Sequence, residues 1–73
     1  MAFTRAELAN YDGRRGNPAY VAFQGKVYDI SQIQKAGQLG FEAGVDLTNQ
    51  LDMQDEIRAV LDKGIVVGGM SDG

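Results

Sequence analysis

Chemistry in this chain would have to come from carboxylates and hydroxyls, because the usual catalytic side chains are missing. Its 73 residues include no histidine and no cysteine. That removes the commonest metal ligand and general base near neutral pH, the thiolate nucleophile and any disulfide. Asp12, Asp29, Asp46 and the cluster Asp52, Asp55 and Glu56 supply acids. Acid–base catalysis needs two carboxyls in contrasting environments, and nothing in their spacing predicts that. The 52–56 cluster reads as acids complementing a helix N-terminus, and it lacks the alternating ligand pattern of a calcium loop. Thr4, Ser31 and Thr48 stand at cap positions and have no histidine to activate them. No catalytic residue and no metal site is expected. The segment Gly37-Gln38-Leu39-Gly40 has neither the lysine of a phosphate loop nor the strand–turn–helix setting of a dinucleotide fingerprint. It reads as backbone that presses close to a neighbouring element or a flat ligand. Arg14-Arg15 is the only basic pair, read as solvated loop with docking of an acidic partner as the alternative.

The elements that must position these groups follow from capping and periodicity. Thr4-Arg5-Ala6-Glu7 is a capping box. It predicts a helix over 5–11, with Phe3 stapled against Leu8 and a stop at Gly13. Residues 19–30 predict a β-hairpin that turns at Gln24-Gly25, where Gly25 supplies a positive φ. Tyr20, Ala22 and Gln24 fall on one face of its first strand, and Ala19, Val21 and Phe23 on the other. Ser31 is expected to cap a second helical turn anchored by Ile33, and 36–44, with three glycines, to be loop. Residues 46–51 predict a short helical turn. Asp52 then caps a better helix with Met53, Ile57, Val60 and Leu61 on one stripe, ending at Lys63-Gly64. A short strand over 65–67 and a frayed tail over 70–73 complete the chain.

The class is therefore α+β, a small mixed sheet with several short helices, in a single domain spanning 1–73. With 44% apolar residues a core is available, and net charge −3 with a pI near 4.6 argues against nucleic acid or an anionic membrane as partner. No stretch approaches the roughly 20 apolar residues of a membrane span. With no signal-like apolar run at the start, a cytoplasmic location is expected.

Three blocks carry a resemblance. They are Phe3-Thr4-x-x-Glu7-Leu8-x-x-Tyr11-Asp12-Gly13, then Pro18-x-Tyr20-Val21-Ala22-Phe23-x-Gly25-Lys26-Val27-Tyr28-Asp29-Ile30-Ser31, then Ala43-Gly44-x-Asp46-Leu47-Thr48. In order and over essentially the whole chain, they resemble the cytochrome b5-like heme/steroid-binding domain. The likeness is to the membrane-associated progesterone receptor branch and its small bacterial relatives. The resemblance implies a mixed sheet whose short helices frame a pocket for b-type heme or another hydrophobic ligand. It also shows departures. Relatives carry histidine where this chain has Phe41 and again about where it has Glu56, and the progesterone-receptor branch uses a tyrosine where Leu39 stands. The loop before Ala43 is shorter and lacks their aromatic residues.

Two functions are weighed on that basis. One is a non-catalytic module without bis-histidine heme ligation, acting as a protein-interaction or accessory subunit. The alternative is a domain that binds a small apolar, steroid-like or heme ligand. Candidate pocket or interface residues are Leu39, Gly40, Phe41, Glu42, Ile57 and Leu61. No cofactor is expected, and the partner expected is another protein subunit. A heme held through tyrosine or through the thioethers of Met53 or Met70 ranks last, since a methionine on a helix face is ordinarily core.

Overall fold

The computed structural model describes residues 2–37 and 39–71; Gln38 of the glycine loop and Asp72-Gly73 of the tail lie outside them. The chain begins with a strand that the sequence reading missed, β1 (Ala2–Phe3). The capping box forms as read. The Thr4 N–H donates to Glu7 Oε1 and the Glu7 N–H to Thr4 Oγ1, both at 3.1 Å, and the helix that follows is α1 (Arg5–Leu8). It is shorter than the expected 5–11. The amides of Asn10 and Tyr11 bond back only three residues, and the Tyr11 carbonyl is taken by the Tyr20 N–H at 2.8 Å, which draws the chain out of the helix.

The hairpin is β2 (Tyr20–Phe23) and β3 (Lys26–Asp29), paired from Phe23↔Lys26 to Tyr20↔Asp29. Both turn residues have positive φ, Gln24 at 51° and Gly25 at 83°, the type I′ geometry that matches strand twist. Then come α2 (Ser31–Lys35), a 3₁₀ turn (Leu51–Met53), α3 (Gln54–Leu61) and β4 (Ile65–Met70). The four strands form one mixed sheet in the order β1-β4-β3-β2, with β4 parallel to β1 and antiparallel to β3. The fold is thus α+β with a small mixed sheet.

Four local expectations are corrected. Ser31 is not a side-chain cap. Its Oγ–H and N–H both donate to Asp29 Oδ1, at 2.6 and 2.9 Å, while its oxygen accepts the Ala19 N–H at 2.9 Å. Residues 46–51 do not make one helical turn. Asp46 lies extended beside Ala22, its Oδ1 accepts the Thr48 N–H and hydroxyl, and the helical turn starts only at Leu51. Asp52 caps nothing, because the chain enters α3 through the 3₁₀ turn, with Met53 at the N-cap position and no side-chain bond there. Nor is the tail frayed from residue 70. The Met70 N–H donates to the Gly25 carbonyl at 2.9 Å and the Ser71 N–H to the Phe3 carbonyl at 2.7 Å, so β4 runs on through Gly68-Gly69.

Each face of the sheet carries its own core, and the period of two in β2 divides them. Ala19, Val21 and Phe23 join Ile30, Ala43, Leu47 and the α3 residues Ile57, Val60 and Leu61 on one side. Ala22 and Val27 join Phe3 and Leu8 on the other. Phe3 and Leu8, read as a staple, therefore share the second core. That core is edged by an aromatic trio. Tyr11 and Tyr20 stack at 4.7 Å, and Phe3 meets each edge-on at 5.8 and 5.7 Å.

Candidate functional site

The site is built where the glycine-rich loop crosses the first core. Leu39 and Phe41 are half-buried and pack on the cluster that holds Ile57 and Leu61, fully and nearly fully buried on α3. The helix presents these two residues because 57 and 61 are one turn apart on its apolar stripe. Gly40 lies against the same helix: a Cβ built on it would stand 2.7 Å from Glu56 Oε1. Leu39, Phe41, Ile57 and Leu61 thus belong to one packed region, and Gly40 lies beside α3 at Glu56. Glu42 is exposed and, with Leu39 and Phe41, lines an adjoining groove. Met53 is half-buried against the first core and Met70 against the second, so each thioether is packing material.

The groove holds about 480 Å³ and takes none of its described lining from α3. One bank is Ala9, Asp12 and Arg14, and the other is Gln34 of α2 with Gly37, Leu39, Phe41 and residues 42–45 of the loop. The banks are tied together by close backbone approach. The Gln34 Nε2–H donates to the Asp12 carbonyl at 3.0 Å. A Cβ on Gly44 would come within 3.2 Å of Asp12 Cβ, and with φ at +82° that position suits glycine. Arg14 is set by its N–H donating to Asp12 Oδ1 at 2.9 Å. Asp12, Arg14 and Gln34 were absent from the sequence-derived site. The signal that could have flagged them is the pair Asp12-Gly13 and Ala43-Gly44, two glycine-hinged steps whose backbones meet.

The electrostatics are plain. Among the described residues no three acidic, histidine or cysteine side chains come together as a metal site would require. The ion pair Arg5–Asp46 spans 3.7 Å, with Arg5 largely exposed, a geometry worth little. Burial, then the nearby Asp29 charge, then Tyr11, raise the Tyr20 phenol above its ordinary value. Tyr20 belongs to the second core and lies outside both that packed region and the groove. No helix among the described residues is long and apolar enough to cross a membrane.

No protein-family model and no curated protein matches this sequence. Solved structures do. A cytochrome b5 domain protein of Hadesarchaea YNP_N21 superposes with a TM-score of 0.81 at 39% identity, over 97% of this chain and 99% of that one. A cytochrome b5 domain protein of Methanococcoides burtonii gives a TM-score of 0.80 at 36% identity, over 97% of each chain.

Proposed function

The chain belongs to the cytochrome b5 domain family, and we propose that this member is a non-enzymatic module that binds another protein and does not hold heme between histidines. The observation that carries the reading is the packing of the loop against the first core and α3. Leu39 and Phe41 rest on the core of Ile57 and Leu61, and Gly40 rests on Glu56. A flat macrocycle inserted between loop and α3 would have to displace all of these contacts. The donor chemistry points the same way. With no histidine or cysteine in the chain, the pair of imidazoles that bis-histidine ligation requires cannot be supplied. The residues present do not fit a bis-histidine heme, and no chemistry is derived through one.

Titration with hemin is the direct test. The expected spectrum shows only weak, unsaturable broadening of the Soret band. A saturable, stoichiometric low-spin spectrum would overturn the reading. Co-purification from the native source, followed by mass spectrometry, is expected to return a stoichiometric protein partner.

A second reading, a small apolar ligand, draws support from the groove of about 480 Å³, a volume in the range of small-molecule sites. Titration with progesterone under ¹H–¹⁵N NMR distinguishes the two. Saturable shifts confined to the amides of residues 39–45 would favour the ligand, and unchanged spectra the protein partner.

A further inference from the structure

One bank of the groove contains a dipeptide that can react with itself. An aspartate followed by glycine closes to an imide readily, because glycine has no Cβ to shield its nitrogen. The chain has two such pairs, Asp12-Gly13 and Asp72-Gly73, and no asparagine before glycine; the second pair lies outside the described residues. In the first pair the Gly13 nitrogen bonds to Cγ of Asp12, gives up its proton and expels the carboxyl hydroxyl as water. The product is a five-membered imide. Water then reopens the ring. Breaking the bond from nitrogen to Cγ restores aspartate, whereas breaking the bond to the main-chain carbonyl carbon leaves isoaspartate, with the chain rerouted through Cβ and Cγ. The water lost in the first step returns in the second, so no oxidant or co-reactant is needed.

Both reacting groups are tied in the fold. The Gly13 N–H donates to the Pro18 carbonyl at 3.1 Å, and a held N–H releases its proton only when the bond opens, as in amide exchange. Asp12 Oδ1 accepts the Arg14 N–H at 2.9 Å, which restricts the rotation by which Cγ turns its face to the nitrogen. Asp12 is also bridged antiparallel to Ala19. Its carbonyl, whose bond to Gly13 is the one that must break, accepts the Gln34 Nε2–H at 3.0 Å. Gln34 acts on Gly13 as well. Its carboxamide fills the space that a Cβ there would need, so with φ at +80° the position is reserved for glycine. The same side chain thus imposes the labile pair and pins it. We propose that Asp12-Gly13 is a latent isoaspartate-forming site, closed in the folded chain by Pro18 and Gln34 and released by local opening of residues 12–18.

The consequence falls on the groove. Conversion inserts one methylene into the main chain, turns the Asp12 carbonyl that Gln34 binds into a free carboxylate, and makes a peptide carbonyl of the side-chain carboxyl that sets Arg14. The close approach of Gly44, where a Cβ would stand 3.2 Å from Asp12 Cβ, leaves no room for a longer backbone. The ties between the two banks therefore change together. This concerns the wall of the groove alone, and it holds whether the protein takes a protein partner or a small ligand.

Peptide mapping by mass spectrometry with electron-transfer fragmentation, which separates isoaspartate from aspartate, tests it on the full chain aged folded and in guanidinium chloride. The unfolded chain should accumulate isoaspartate at residue 12. The folded chain should do so at least about tenfold more slowly, because only its locally opened fraction reacts. Gln34→Ala should speed conversion of the folded chain about threefold or more, and should speed exchange of the Gly13 amide in step, since one opening controls both. Thr48→Ala, at the far end of β2, should convert as wild type. In the converted chain the Gly44 amide should exchange faster than before. Should Gln34→Ala fail to fold, Gln34→Glu, which keeps the shape and loses the donor, replaces it. An unfolded chain without isoaspartate at residue 12, a folded chain that converts as fast as the unfolded one, or a Gln34 variant that converts no faster than wild type overturns the proposal.

Discussion

Two side-chain pairs hold β2 at its ends, and they are built alike. At the start, Asp29 Oδ1 accepts from Ser31, whose oxygen accepts the Ala19 N–H; at the finish, Asp46 Oδ1 accepts from Thr48, whose oxygen accepts the Gln24 N–H at 2.9 Å. The carboxylate orients the hydroxyl proton toward itself, which leaves the oxygen lone pair for the strand. The two differ in burial, since the Ala19 amide sits in the core and the Gln24 amide is in water's reach. Ser31→Ala therefore strands a buried donor and should cost about 1–3 kcal/mol, whereas Thr48→Ala should cost about 1 kcal/mol or less. Urea denaturation of the two variants checks that order. Tyr20 sets a limit at high pH. Its phenol titrates above the ordinary range because of burial, Asp29 and Tyr11, so the folded state holds the proton more tightly than the unfolded one. That stability is complete below the unfolded value near pH 10 and is lost as pH rises beyond it. Tyr20→Phe should accordingly move the alkaline unfolding midpoint to higher pH, as read by circular dichroism.

At the scale of elements, glycine conformation decides where strands turn and where they approach. Gly25 has φ +83° with nothing within 4 Å of a built Cβ, so its requirement is backbone conformation alone. Gly25→Val should destabilise by at least about 1 kcal/mol, the cost of left-handed backbone in an L-residue, and a calorimetric melt with unchanged midpoint would contradict this. Gly69 differs, because a Cβ there would stand 3.1 Å from the Gly25 carbonyl, and the constraint is contact. The helices are short and depend on the sheet. α1 spans four residues, well under the length at which a helix stands alone, and its capping box serves to aim Leu8 into the second core.

For the whole molecule, one sheet shared by two cores implies that neither core survives without the other. A domain of this size is expected to be stable by roughly 4–11 kcal/mol. Ile57, fully buried at the centre of the first core, should cost about 2–5 kcal/mol when truncated to alanine, a large part of the total. Because the strands are common to both cores, near- and far-ultraviolet circular dichroism of Ile57→Ala should lose signal in a single shared transition. Separate transitions would mean that the two faces fold independently.

The amino-acid order by itself determined the hairpin and its turn, the first capping box, the α3 stripe and the family likeness, because each rests on neighbours within a few residues. Period-two alternation in β2 even separated the residues of the two cores. Only the tertiary structure decided the rest. β1 is two residues long and exists through β4, at the far end of the chain. The last strand extends past residue 67 because Gly25 and Phe3 supply its partners. Ser31 was legible as a polar residue at a helix start, but its bond to Ala19 required the strands to be in place. The candidate residues of loop and α3 were named from a resemblance. That Gly40 abuts Glu56, and that Asp12, Arg14 and Gln34 form a groove with the loop, depends on backbone brought together from distant positions, which no local pattern encodes.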